Sequence, residues 1–296
     1  MEIQRIAPRH LEAVERLCEQ ELTHDSHSAS LPGILMRRPH TGLVAVRGGE
    51  VLGCCFGSIS EYRAAGREGF LDLIVVARGE REHGIGRRLV EELEAELAAR
   101  GCEVARIAGN PPHYGWPGID VRYTPAICFA EDLGYTRGRC VVTMEVDLER
   151  NSLVTDGQAG RLAELGITVH RAGLGELEDL KPALKQTWDD AWIAEITAAL
   201  SYPGAGLHVA MRDGECVGFC AYGVNRPNEV GPIGTVPDLR RVGVAGVLLR
   251  DSLRDQRDRG LSAADLVWVL PLKPVSRSFG ATISRAFWMY QKDLPR

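Results

Sequence analysis

Two stretches set glycine among arginines just where an apolar run gives way to helical periodicity: RGEREHGIGRRLV (Arg78 to Val90) and PDLRRVGVAGVLL (Pro237 to Leu249). A glycine turn at a helix start leaves backbone N–H groups without partners. The positive end of the helix dipole adds to them, so the turn can hold an anion such as a phosphate. Glycine suits the role because a side chain would keep the ligand off the backbone. Ahead of each stretch stands a carboxylate, Asp72 four residues before Val76 and Glu229 six before Thr235. Even separations on a strand put each on the same face as its reference residue. Plainer readings exist for all of these. A glycine near a helix start can be a simple cap, and Glu229 in RPNEVGP can be a solvated loop residue. Asp72 in FLDLIVV is harder to explain that way, because an unpaired carboxylate on a central strand is costly.

The spacing narrows the ligand. A dinucleotide fingerprint needs a third glycine where Leu89 stands, and a Walker-type loop needs Gly-Lys followed by Ser or Thr, which neither stretch has. What recurs is R-x-x-G-x-G (Arg81, Gly84, Gly86) and R-x-x-G-x-A (Arg240, Gly243, Ala245).

The elements around these stretches are duplicated too. VAVRGGEVLGCCFG (Val44 to Gly57) and VAMRDGECVGFCAYG (Val209 to Gly223) each read as a β-hairpin around a polar glycine turn. Both halves continue as strand, loop, amphipathic helix, strand, short helix ending in glycine, and closing strands. In the first half these fall near Gly69 to Val76, Gly84 to Arg100, Glu103 to Ala108, Tyr123 to Leu133 and Tyr135 to Asp147. In the second half ITVHRA leads to helices from Leu174 to Leu200, a strand near Ile233, a helix from Gly243 to Arg259, a strand from Ala264 to Val269 and ATISRAFWMYQKDL. The polar segment NSLVTDGQAGRL reads as a linker. The expected division is one domain at 1–150, a linker at 151–165 and a second domain at 166–296.

The paired motif, its place after a strand, and the late helix with glycine and an aromatic in AICFAEDLGY resemble the GNAT superfamily of acyl-coenzyme-A N-acyltransferases. The likeness covers nearly the whole chain twice, in the tandem arrangement also seen in mycothiol synthases. It implies an α/β (α+β) fold of two GNAT-like domains, each a mixed, mostly antiparallel central sheet flanked by helices. It also implies acetyl-CoA as cosubstrate. Ile74, Val75 and Val76 would lie along the pantetheine arm, and Arg81, Glu82, His83, Gly84, Ile85, Gly86 and Arg87 would hold the pyrophosphate. Thr235, Val236, Arg240, Arg241, Gly243, Val244, Ala245 and Gly246 would do the same in the second half.

Acyl transfer to an amine needs a base for the amine proton and is helped by an acid for the departing thiolate. Asp72 and Glu229 are the candidate bases. The tyrosine that many GNAT enzymes place four residues before the late-helix glycine is absent: those positions are Ala130 and Ser276. Either Tyr123 or Tyr135 serves instead in the first half, or the thiolate leaves without an acid, or one domain binds coenzyme A without catalysis. The loop NPPHYGWPGIDVRY brings His113, Tyr114, Trp116 and Asp120 to the acceptor end, or else packs its aromatics. His24 in THDSHS and Asp189 in WDDAW fall in early segments that shape acceptor pockets in this superfamily, although WDDAW also fits an exposed helix turn with packed tryptophans. The resulting expectation is acetylation of a small-molecule amine, with the first half catalytic. A non-catalytic acyl-CoA sensor and transfer of longer acyl or aminoacyl groups are the alternatives.

Composition fits a soluble globular chain of 296 residues, 45% hydrophobic and 25% charged. A net charge of −5 argues against a nucleic-acid partner. No apolar run is long enough for a membrane span. The opening MEIQRIAPRHLEAVERL lacks the pattern of a secretory leader, which points to a cytoplasmic protein; its sequence leaves both a monomer and a homodimer open. The eight cysteines sit mostly in apolar strand-like runs without metal-ligand spacing and read as reduced, buried core residues, with no metal site.

Overall fold

The computed structural model describes residues 1–62, 67–269 and 271–295. In chain order the first elements are β1 (Glu2–Arg5), α1 (Pro8–Glu21), α2 (Leu31–Leu35), β2 (Thr41–Arg47), β3 (Glu50–Ile59) and β4 (Glu68–Val76). They are followed by α3 (Ile85–Ala99), β5 (Val104–Ile107), β6 (Ile119–Asp120), α4 (Thr124–Asp132) and β7 (Thr136–Asp147). Next come α5 (Asp156–Glu164), β8 (Ile167–Arg171), α6 (Leu177–Thr187), α7 (Asp190–Ser201), β9 (Gly206–Arg212) and β10 (Glu215–Tyr222). The last are β11 (Glu229–Thr235), α8 (Val244–Asp258), β12 (Ala263–Leu266), α9 (Leu272–Phe279) and β13 (Thr282–Asp293). No helix among the described residues is long and apolar enough to cross a membrane.

Local chemistry explains most of these elements. The two hairpin turns place Gly48 and Gly49, and then Asp213 and Gly214, at positive φ. A two-residue turn that matches strand twist needs that conformation at both central positions. α3 buries Ile85, Leu89, Val90, Leu93 and Leu97, and α8 buries Val244, Val247, Leu248 and Leu253. That spacing is the apolar stripe of a helix lying on a sheet.

The chain forms two compact units, Met1–Cys140 with Phe287–Arg296 and Val141–Ala286. In the first, strands run in the order β1-β2-β3-β4-β5-β13, with β6 on β13. Among the described residues there, only β4 and β5 are parallel. In the second the order is β8-β9-β10-β11-β12-β7, and among its described residues only β11 and β12 are parallel. α8 packs over one face of the second sheet, while α6 and α7 cover the other with Phe219, Leu207 and Val209.

The compact units depart from two contiguous halves. Asp147 pairs with Ala263 on β12, so the end of β7 belongs to the second unit. Lys292 pairs with Ala105 on β5, so the end of β13 belongs to the first. Alternating hydrophobicity marks a strand without naming its neighbour. The segment read as a linker contains α5, and Leu153 and Leu162 are buried in the second unit's core. Burial of those two leucines overrides the local turn signals. All eight cysteines are free thiols. Six are buried, whereas Cys128 and Cys140 are exposed, contrary to the uniform burial expected from sequence.

Candidate active site

The glycine stretches fold alike. In the first unit Glu82 and Gly84 have φ of +65° and +79°, and in the second Arg241 and Gly243 have +73° and +106°. Chains that pass through such left-handed positions turn successive N–H groups toward one concavity. Gly84 and Gly243 are the N-caps of α3 and α8, and no side chain caps either helix. A Cβ at either glycine would meet nothing within 4 Å, so the chain is uncovered at both helix starts. Ile85 and Val244 behind them are buried and pin the helix starts to the core. Bare amides at a helix start, facing solvent and held in place, fit a diphosphate.

The flanking residues differ in role. Arg81 turns inward: its Nε donates to the Val76 carbonyl at 3.1 Å, and its guanidinium meets Glu21 at 2.5 Å. Glu21 also accepts the Arg78 N–H at 2.9 Å. Arg81 thus ties the strand end to the loop, and His83 and Arg87 are left exposed at its rim. A Cβ on Gly86 would come within 3.2 Å of Phe129, so glycine lets α3 approach α4. In the second unit Arg240, Arg241 and Ala245 are exposed, and Gly246 lies under Arg250, whose Nη1 donates to its carbonyl at 3.1 Å.

Each parallel strand pair opens into a fork below its cradle. β4 and β5 stay paired through Leu71 and Ile107, with a last bond from Ala108 N–H to the Leu71 carbonyl. β11 and β12 part after Val230 and Leu266, with a last bond from Val267 N–H to the Val230 carbonyl. Ala77 N–H donates to Leu52 and Val236 N–H to Val217, both toward the antiparallel neighbour. Alternation then turns the backbone groups of Val76, Ile74 and Thr235 to the open side, and those of Val75 and Val236 away from it. The Thr235 hydroxyl is buried there with no hydrogen-bond partner among the described residues.

The two candidate bases are in different situations. Gly57 pairs with Leu71 and Phe56 with Leu73, so Asp72 is the extra residue of a β-bulge at the fork. Its side chain is 1% exposed and bonded to Arg38 at 2.7 Å, the Arg38 side chain being 9% exposed. Arg38 also donates to the Asn110 carbonyl, and the Asn110 amide donates to Ser58. Burial raises the Asp72 carboxyl above its ordinary range, opposed by Arg38, the Ser58 hydroxyl and His40. A pair this enclosed is strongly destabilised when one partner is lost. Arg38→Ala is expected to cost about 3–5 kcal/mol in urea unfolding.

Glu229 is also buried, and Arg226 donates to it at 3.0 Å. Burial raises its carboxyl to about 7, with Arg226 opposing and Asp265 on the next strand adding to the rise. It starts β11, six residues below Thr235 and at most roughly 20 Å from it along the strand. An extended pantetheine arm spans a comparable distance. A register shift between Val230 and Ile233 breaks the alternation on the way, so the even spacing does not put the two on one face.

The acceptor candidates of the first unit gather around one residue that the sequence reading did not single out. Asp25 accepts from the Tyr123 hydroxyl and from Trp116 Nε1, both at 2.8 Å. The His24 N–H donates to the Tyr123 oxygen at 3.0 Å, and the His24 ring stands edge-on to Tyr123 at 4.9 Å. Asp120 is buried and holds Arg122 at 2.7 Å. Asp189 lies apart from this group: it caps α7 by accepting the Trp192 N–H at 3.1 Å. Trp188 and Trp192 pack edge-on against Phe219, which is the plainer of the two readings of WDDAW. Tyr135 is buried, and burial with Glu94 beside it pushes its phenol far above the ordinary range, a poor proton donor. His113 and Tyr114 are buried within their loop. Among the described residues no group of three or more His, Cys, Asp or Glu is placed to hold a metal ion.

Arg38, Asn110, Arg226 and Asp265, like Asp25, escaped the sequence reading. Arg226, three residues before Glu229, was the one local signal.

Comparison with known proteins agrees with this geometry. The model of the acetyltransferase (GNAT) family matches residues 6–113 and again 176–278. A mycothiol acetyltransferase from Thermobifida fusca is 27% identical over 331 residues, covering 96% of this chain and 91% of the relative. A tandem GNAT protein from the clavulanic acid biosynthesis pathway shares the fold with a TM-score of 0.69 at 15% identity, covering 100% of this chain and 99% of that one. A GCN5-related glucosamine N-acetyltransferase region of a fungal multi-domain GH3 β-N-acetylglucosaminidase superposes with a TM-score of 0.84 at 15% identity. That match covers 98% of this chain, which spans 38% of the fungal protein.

Proposed function

Because the chain belongs to the GNAT family of acetyltransferases, we propose that its second unit moves the acetyl group of acetyl-CoA to an amine of a small molecule, with Glu229 as base. The observation that carries this reading is a buried carboxyl, pushed up to about 7 by its burial, at the closed end of a strand fork whose open end meets the amide cradle. A base poised near the working pH is half ionised and still strong enough to take a proton. Glu229 removes a proton from the acceptor's ammonium group. The freed nitrogen attacks the thioester carbon, the C–S bond breaks as the C–N bond forms, and the thiolate leaves.

The first unit carries the equivalent cradle, so it too is read as an acetyl-CoA site. Catalysis there, the expectation from sequence, would use Asp72, which Arg38 holds through one carboxylate oxygen. Tyr123 is bonded to Asp25 and belongs to the acceptor cluster of that unit. The Thermobifida fusca relative is named a mycothiol acetyltransferase, so polar amines that also carry a thiol are the first acceptors to test.

The reading is tested by following coenzyme A release from acetyl-CoA across a panel of small amines, with mass spectrometry of the products. Release matched by an acetylated amine is expected. Tight acetyl-CoA binding with no acetylated product from any amine would favour a sensor instead.

A further inference from the structure

Glu229 does not stand alone on its sheet. It pairs in register with Asp265 on β12, and Asp265 pairs with Glu145 on β7. Residues directly opposite on neighbouring strands project from the same face. Their sequence neighbours Val230, Leu266 and Met144 enter the core beneath α8, so the three carboxylates line the opposite face. The row runs from buried Glu229 through half-buried Asp265 to exposed Glu145. Asp265 is held by the Asn228 side-chain amide at 3.0 Å, and its N–H bonds the Asn228 carbonyl, so its position is built.

The molecule supplies its own comparison. The same register row in the first unit is Phe70, Arg106 and Gln291, without a carboxylate. Arg106 there is taken up by Glu68 at 2.7 Å. The acidic row therefore does not follow from the shared fold.

We propose that Asp265 is a positioning residue for the transfer: standing opposite Glu229, it competes for Arg226 and keeps Glu229 able to accept the amine proton. This rests on the reading of Glu229 as base. Arg226 favours the ionised form of Glu229 against the burial that raises its carboxyl. A second carboxylate on the same face divides that cation's influence and repels the charge on Glu229. Arg226 and Arg285 act on both acids. α7, which packs on β11, carries the buried Glu195, which does not figure in the shift of either acid. From Glu229 the row continues to Glu145, so a proton taken from the acceptor has carboxylates leading toward solvent.

The test is a carboxyl titration of the whole protein labelled with 13C at glutamate side chains, with the Glu229 signal identified by its loss in Glu229→Gln. In the wild type the midpoint is expected near 7. Removing the neighbouring negative charge favours ionised Glu229, so Asp265→Asn is expected to lower the midpoint by about one pH unit. Asp265→Glu keeps the charge and is expected to restore it, which a merely structural role for Asp265 would not require. An unchanged midpoint in Asp265→Asn, or the same fall in Asp265→Glu, overturns the proposal. The titration needs neither acceptor nor turnover. A failed base role would show separately, as undiminished acetyl transfer in Glu229→Gln.

Discussion

Glu229→Gln is expected to slow acetyl transfer by about 10²–10⁴-fold, the usual loss when a positioned base is removed. Glutamine is the sharper variant than alanine, because it can still accept the hydrogen bond from Arg226 and leaves no cavity beside a buried cation. The pH profile should change with it. A base must be ionised to act, so wild-type kcat/KM should rise with pH through a limb near 7. That limb should vanish in the variant. Asp72→Asn, once shown to be folded, should keep turnover near the wild-type level, since the transfer is assigned to the second unit. The opposite pair of results would move catalysis to the first unit.

The second large effect is expected at the helix starts. Valine at Gly84 or Gly243 has to adopt a left-handed conformation, at about 1–2 kcal/mol or more for a branched side chain. Its side chain also stands at the uncovered helix start. Losing one charge-assisted hydrogen bond to a diphosphate, at about 1.5–3 kcal/mol, raises the Kd for acetyl-CoA roughly 10- to 100-fold. Each substitution should act on its own unit. Gly243→Val should lower turnover by a similar factor at acetyl-CoA concentrations below its KM, and Gly84→Val should leave it largely intact. Thermal melts of both variants separate this effect from unfolding.

The cradle could be read in the sequence because its chemistry is local. Arg81, Gly84 and Gly86 recur as Arg240, Gly243 and Ala245, and four or five residues suffice to turn a strand into a bare helix start. The hairpins were legible for the same reason, through Gly48-Gly49 and Asp213-Gly214. What escaped the sequence depends on distant partners. Asp72 was recognised as an uncomfortable carboxylate, but Arg38 lies 34 residues earlier in the chain. The pairing of Glu229 with Asp265 is a matter of register between parallel strands, which neither strand announces. The ends of β7 and β13 were placed by sequence adjacency, whereas strands pair wherever hydrogen bonds and burial are best met. α5 was read as linker because Gly157 and Gly160 are turn residues, yet Leu162 carries it into the core. Asp189 shows the converse: a helix cap is a local role, and the plainer reading of WDDAW accounts for it.

Native mass spectrometry of the chain with acetyl-CoA tests the central claim most directly, because it counts what the two helix starts hold. Two bound molecules per chain are predicted, with one lost in Gly84→Val, the other in Gly243→Val, and both in the double variant. Wild-type stoichiometry and affinity in all three would contradict the claim, since acetyl-CoA would then be held by some other part of the molecule.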